Sequence, residues 1–241
     1  MTTDGVSELS WDSAFFGKKI GELHLDSVKP GNINDSLEQA RRDQYRYLLC
    51  KVESHNTHLT KMIEAKGFYL TDVAITWFVE TLDFTQIDLS TSVLSEKPRL
   101  ALRRDIAAAR ELVKSLFLHS RFYNDPFFNK KEADNLFQSW IENSINGEAA
   151  DATFLIDDVG VITCRRLGER KGEIILVGVR EEKRGQKLGK GLIMTAFNWF
   201  NSNGISRVNV KTQLRNVSAM NFYSKLGFSI GGYSLVFGKI L

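Results

Sequence analysis

Apolar and polar positions along this 241-residue chain change period often enough to mark its elements. Residues 19–25, 47–52 ("YLLCKV") and 72–80 ("DVAITWFVE") are short apolar or alternating runs, the period of strands. Between them, 35–44 and 57–65 repeat apolar residues every three to four positions, the period of helices. Farther along, helices are predicted at 106–118, 131–145, 188–201 and 218–226, and strands at 152–156, 159–167, 173–179, 208–213 and 229–239. Helices alternate with strands at both ends and strands follow one another in the middle, which predicts an α/β fold, a mixed sheet flanked by helices. Segment 81–100 ("TLDFTQIDLSTSVLSEKPRL") breaks the pattern. Polar, rich in Ser and Thr and carrying Pro98, it reads as a linker between residues 1–95 and 96–241.

Two parts of the pattern coincide. Laid on 207–237 without a gap, residues 47–77 match strand with strand and helix with helix, pairing Lys51 with Lys211, Asn56 with Asn216, Gly67 with Gly227 and Phe68 with Phe228. Agreement of pattern and identity predicts a duplicated strand-helix-strand unit. The copies differ at one position of chemical weight: "NVSAMNFYSKLGF" (216–228) carries Tyr223 where "NTHLTKMIEAKGF" (56–68) carries Ile63.

Composition narrows the classes. A net charge of +3, with Lys and Arg scattered rather than striped, argues against a nucleic-acid partner. No apolar run reaches the roughly 18 residues a membrane span needs. The start, "MTTDGVSELSW", has no signal-peptide pattern, so a cytoplasmic protein without a membrane partner is expected. Cys50 and Cys164 sit in apolar strand-like runs and read as core thiols. His24, His55, His58 and His119 show no metal-ligand spacing, so no metal is expected.

One stretch carries candidate binding chemistry. In "EIILVGVREEKRGQKLGKGL" (173–192) an apolar strand runs through a charged turn into a glycine-bearing basic loop that opens a helix. Glycines such as Gly185 let backbone approach an anion, the first helical N–H groups point at it, and Arg184, Lys187 and Lys190 add positive charge. The spacing is neither that of the P-loop nor that of the dinucleotide fingerprint. The same composition also fits an ordinary strand-to-helix connection with a solvated basic face.

The run from Arg184 through Gln186 and Gly189 to Gly191 resembles the Q/R-x-x-G-x-G/A signature of the GCN5-related N-acetyltransferase (GNAT) family. The "LVGV" strand before it and the Asn and Tyr of the next α/β unit strengthen the likeness, which covers about residues 100–241. The resemblance implies a GNAT fold with a partial, degenerate GNAT-like copy ahead of it, and acetyl-CoA as co-substrate. Gln186, Lys187, Gly189, Lys190 and Gly191 would surround its pyrophosphate. The strand from Leu176 through Val177 to Val179 would flank the pantetheine arm, and Asn216 would hold the cofactor chain.

Acyl transfer to an amine needs a neutral nucleophile, a polarised thioester carbonyl and a proton for the leaving thiolate. The resemblance gives the proton to Tyr223 and the polarisation to amides among Val177 to Val179, where two parallel strands part. A core tyrosine with its hydroxyl at the surface is the plainer reading of Tyr223. Asp72, at the start of "VAITWF", is the preferred base and Glu173 the second; ordered water, or exposed strand-end carboxylates without a role, are the alternatives.

"LSWDSAFFG", "SRFYNDPFF" (120–128) and "FQSWIENSING" (137–147) resemble the bacterial dTDP-fucosamine (dTDP-4-amino-4,6-dideoxygalactose) acetyltransferases of enterobacterial common antigen assembly. That likeness implies a nucleotide-linked 4-amino-4,6-dideoxy sugar as acceptor. Arg121 and Tyr123, in an aromatic stretch with Phe122, Phe127 and Phe128, would form a mobile loop with Arg on phosphate and rings on base or sugar. Alternatively the aromatics pack the two halves together. Acetylation of a protein N-terminus or lysine, and non-catalytic acetyl-CoA binding, stay open. A homodimer is expected from the family and from "YSLVFGKIL", costly as a free edge strand.

Overall fold

The computed structural model describes residues 5–25, 33–53, 55–80 and 97–241. Most of the expected linker therefore lies outside the described residues. One ten-stranded mixed sheet organises the rest, in the order β1-β2-β3-β10-β4-β9-β8-β7-β6-β5. Its strands are β1 (Val6–Glu8), β2 (Ile20–Leu23), β3 (Tyr47–Glu53), β4 (Tyr69–Glu80), β5 (Arg99–Leu100), β6 (Ala152–Ile156), β7 (Gly160–Arg166), β8 (Lys171–Val179), β9 (Arg207–Gln213) and β10 (Ser229–Ile240). The helices are α1 (Ser10–Phe16), α2 (Ile33–Arg42), α3 (Thr57–Ala65), α4 (Ile106–Val113), α5 (Arg121–Asn124), α6 (Lys130–Ile145), α7 (Leu188–Ser202) and α8 (Val217–Lys225). No helix among the described residues is long and apolar enough to cross a membrane.

The sequence repeat has a geometric counterpart. β3, α3 and β4 match β9, α8 and β10 in length and start, each displaced by 160 positions, as from Tyr47 to Arg207. Local chemistry repeats as well. Asn56 Oδ1 accepts the Leu59 N–H at 3.1 Å, and Asn216 Oδ1 accepts the Ala219 N–H at 3.1 Å, so each asparagine caps its helix. Each helix then ends at a left-handed glycine, Gly67 (φ 77°) and Gly227 (φ 80°), a conformation that costs other residues more.

The two units exchange strands. β10 lies between β3 and β4, antiparallel to both, and β4 lies between β10 and β9. Ser234 faces Glu53 across one junction as Ala74 faces Gln213 across the other, and Ala74 faces Ser234 between them. A local twofold axis, normal to the sheet, therefore passes beside the Ala74/Ser234 pair. Beyond it the parallel pairs correspond too: Ile20 faces Tyr47 and Lys171 faces Arg207, so Gly21, Glu22 and Leu23 stand for Gly172, Glu173 and Ile174. The C-terminal strand, expected to be a bare edge, is thus a central strand, and the edge argument for a dimer falls away.

Strand alternation sorts the core by face. Leu48, Cys50 and Val52 pack on the side of α2 and α3, and Trp77 and Ile75 on that of α7 and α8. Tyr47, Leu49 and Val236 turn to the opposite face, where α4, α6 and the aromatic stretch cover them. Cys50 and Cys164 are fully buried in this packing, and burial pushes the Cys50 thiol up to about 12.

Candidate active site

The site begins where two strands part. β8 and β9 pair in parallel only from Lys171/Arg207 to Ile174/Val210. Just beyond, β8 takes an extra residue against β7, for Cys164 faces Ile174 while Ile162 faces Val177. Such a bulge bends the strand that carries it, and the two strands separate there. Direction of the amides follows from the ladder. Arg180 N–H donates to Val159 O at 2.8 Å, so Gly178, two residues back, is also turned to β7, and the alternating Val177 and Val179 N–H groups point into the gap. Of the three expected amides, two face the gap and one is spent on β7.

A groove of about 590 Å³ lies against this gap, lined by Val177 to Val179, the basic loop, the start of α7 and the inner face of α8. Gly185 (φ 80°) and Lys187 (φ 61°) turn the loop into the helix through left-handed conformations. The Gly191 N–H closes the first turn on Lys187 O at 3.0 Å, which leaves the Leu188 and Gly189 amides ahead of the helical ladder. Lys183, Arg184, Lys187, Lys190 and Lys225 give the lining a positive sign. At Gly189 a Cβ would stand 3.3 Å from the Phe222 ring, so glycine keeps the floor close to whatever the groove holds. Amides, dipole, cations and a tight floor all fit a diphosphate. Of the residues expected at the cofactor, Arg184, Gly185, Lys187, Gly189, Lys190, Asn216, Val177 and Val179 line this groove. Gln186 and Gly191 are not in this lining: Gln186 is exposed, and Gly191 is buried within the helix. Leu176 lines the adjoining cleft instead.

That cleft, of about 480 Å³, meets the groove at Tyr223, Asn216, Val177 and His119, which line both. Tyr223 is 4% exposed, its ring packed against Trp77, Phe222 and Phe228. Burial pushes the phenol up from its ordinary value, so it keeps its proton at neutral pH. Among the described residues nothing hydrogen-bonds this hydroxyl, which suits a donor held ready. Ile63, its counterpart, is fully buried and lines neither cavity.

Asp72 is not an exposed strand-end carboxylate. It is the fourth residue of β4, 5% exposed, with Oδ1 accepting the Val73 N–H at 2.8 Å and lying 3.9 Å from Arg215 Nε in a loose ion pair. Burial raises its pKa, and the backbone bond and Arg215 offset part of that. Glu173 lines the same cleft and pairs with Lys211 at 3.3 Å.

The aromatic stretch is pinned rather than mobile. Asp125, buried, accepts from Tyr47, from Tyr69 at 2.9 Å and from the Phe127 N–H at 3.0 Å. Phe128 packs at a tilt against Phe16 and Phe127 stacks on Tyr47, so these rings join the two halves. Arg121 and Phe122 do line the cleft. Tyr123 does not: its hydroxyl donates to Asp134 at 2.7 Å and its ring stacks on Phe137, which fastens α6 instead. Sequence reasoning also missed Asp12, Glu22 and Lys51, which reach the cleft from α1, β2 and β3. The repeat held a signal for Lys51, which matches Lys211; Glu22 lies outside it and matches Glu173 only through the strand pairing.

Residues 111–228 match the model of the acetyltransferase (GNAT) family. The chain is 29% identical over 127 residues to the "Spore coat polysaccharide biosynthesis protein SpsD" of Bacillus subtilis (strain 168), covering 52% of this chain and 44% of that protein. It is 29% identical over 110 residues to "Streptothricin acetyltransferase A" of the same organism, covering 45% of this chain and 62% of that one. The chain thus spans about half the length of the curated relatives it matches. A solved GCN5-related N-acetyltransferase from Kribbella flavida superposes with a TM-score of 0.64 at 16% identity, covering 99% of this chain and 88% of its own. The parted strands, the loop and these likenesses agree: the chain has the GNAT fold, and its residues 111–228 carry the pattern of the acetyltransferase (GNAT) family.

Proposed function

We propose that the protein transfers the acetyl group of acetyl-CoA to the amine of a nucleotide-linked amino sugar of the dTDP-4-amino-4,6-dideoxyhexose type, by direct attack in a ternary complex. One observation carries the reading: a groove fitted to a diphosphate and a separate polar cleft meet at a protonated, buried tyrosine beside two unspent strand amides. Acetyl-CoA, the co-substrate of the family, supplies an acyl carbon activated as a thioester.

The chain's own groups divide the remaining work. The basic loop and the first turn of α7 bind the diphosphate. Val177 and Val179 N–H groups donate to the acyl oxygen as negative charge builds on it, a term worth about 3 kcal/mol per donor in comparable sites. Asp72, ionised above its raised pKa, takes a proton from the acceptor's ammonium or from the attacking nitrogen. As the new C–N bond forms and the C–S bond breaks, Tyr223 Oη gives its proton to the sulfur. Arg121 is the anchor for an anionic part of the acceptor, and the N-terminal unit, residues 1–95, walls the acceptor side.

A polysaccharide-biosynthesis relative supports the sugar class, and the walled cleft supports a small acceptor over a peptide tail. The test is thiol release from acetyl-CoA with free amino sugars, nucleotide-linked amino sugars and basic peptides. Release with nucleotide-linked sugars is expected; release with peptides alone would overturn the assignment.

A further inference from the structure

The twofold relation places a second polar station at the far end of the acceptor cleft. Glu173 and Lys211 pair at 3.3 Å beside the acyl-transfer gap; their counterparts, Glu22 and Lys51, pair at 2.9 Å across the axis. Both pairs line the same cleft. Only the proximal pair has a tyrosine and a phosphate loop to serve. The distal pair has gained other company: Asp12, from α1, and Arg121, from α5, flank it, with side chains 19% and 18% exposed. The guanidinium of Arg121 is short of acceptors, its Nη1 buried without a partner and its Nη2 3.9 Å from Asp12. A buried donor left unpaired costs about 1–3 kcal/mol, which an incoming acceptor oxygen recovers.

Strand spacing sets the reach. Between the middle of the β2–β3 pair and the middle of the β9–β8 pair lie four steps of the sheet, at about 4.8 Å each, so the two stations stand on the order of 20 Å apart. A lone hexose ring is several times too short to touch both. A sugar extended through phosphates to a nucleoside is not.

Resting on the reading that the chain acetylates an amine, we infer that the acceptor lies across the twofold axis. Its reacting amine sits at the Glu173–Lys211 end, and a phosphorylated tail sits in the Asp12, Glu22, Lys51 and Arg121 cluster. Arg121 and Lys51 donate to phosphate oxygens, while Asp12 and Glu22 hold those cations in place and accept from tail hydroxyls. The distal station thus selects acceptors by length, using the counterpart of the pair beside the acyl-transfer gap.

Lys51→Ala tests this, because that side chain is 53% exposed and its loss leaves the core intact. For the nucleotide-linked amino sugar KM should rise about tenfold, as expected for a charge-assisted bond, with kcat and the KM for acetyl-CoA held. The same amino sugar without its nucleotide diphosphate should show no change between wild type and variant. An equal rise for both acceptors, or none for the long one, would overturn the proposal. Should neither sugar be acetylated, the acceptor reading fails, and thymidine diphosphate then probes the station without turnover. Calorimetric binding weakened about tenfold in Lys51→Ala and in Glu22→Gln supports the station; no binding to wild type refutes it.

Discussion

The two strand-helix-strand units are nearly superimposable in length, cap and turn, yet only one faces a cofactor groove. Asn56 and Asn216 do the same job, Gly67 and Gly227 close the same turn, and β4 and β10 fill equivalent places about one axis. What separates them is local: a bulge in β8, a basic loop ahead of α7, and a phenol in place of Ile63. The shared cap and turn residues therefore report the frame, and the unshared bulge, loop and phenol report the acyl-transfer chemistry. That rule lowers the weight of Asn216 as a cofactor ligand, since its twin is explained by capping alone, and raises that of Tyr223.

The strongest way to break the comparison is to remove or transplant the phenol. Tyr223→Phe should cut kcat about a thousandfold with little change in acetyl-CoA affinity, because it removes one O–H from a well-packed ring. Ile63→Tyr should restore no activity and should lower stability by about 1–3 kcal/mol, since the site is already filled. Single-turnover kinetics with calorimetry on Tyr223→Phe, and urea denaturation of Ile63→Tyr, give these values. Unchanged turnover in Tyr223→Phe would take the proton-donor role away from this phenol.

Asp72 has no carboxylate twin, because Gly232 stands at its displaced position. Asp72→Asn should lower kcat/KM about a hundredfold at neutral pH. The wild-type profile should rise with pH through the Asp72 pKa, which burial sets above 3.8, and fall again where the Tyr223 phenol ionises, above 10. Activity is lost as pH falls because the base becomes protonated. The acidic limb should vanish in Asp72→Asn; a limb that persists would transfer the role to Glu173 or water.

Gly21 and Gly172 compare the two backbones behind the stations. A Cβ at Gly172 would stand 2.4 Å from the ring of Phe200, which is fully buried, and one at Gly21 would stand 2.8 Å from the ring edge of Tyr45. Alanine at either should destabilise by roughly 1–3 kcal/mol, more at Gly172, where the ring has less room to yield. Equal melting temperatures for the two variants would count against that difference in packing.

Much of this frame was legible beforehand. The helix at 57–65 and the strand at 152–156 appear with the bounds their periodicity gives, and the repeat was visible as four matched residues. Strand exchange was not, because local period carries no record of which distant strand completes a ladder, and β10 therefore read as an edge. α1 was missed since "SWDSAFF" spans barely two turns and leaves Trp11 47% exposed, so it shows no clean apolar face. Asp12, Glu22 and Lys51 looked like solvated charges for the same reason: only the fold brings them to one cleft. Tyr123 misled by its neighbours, an aromatic run whose members point to different sides of a short helix.

The smallest expected effect is the sharpest test of twinned roles. Asn56→Ala and Asn216→Ala each remove a cap accepting at 3.1 Å, and each should cost about 1 kcal/mol of stability. If capping is all that Asn216 does, the two variants match in every respect, acetyl-CoA affinity included. If its amide also touches the cofactor chain, as its place in the groove lining allows, Asn216→Ala alone should weaken acetyl-CoA binding, by about fivefold for one neutral hydrogen bond. Measuring both stabilities and both affinities separates frame from chemistry at a residue that the sequence repeats without change.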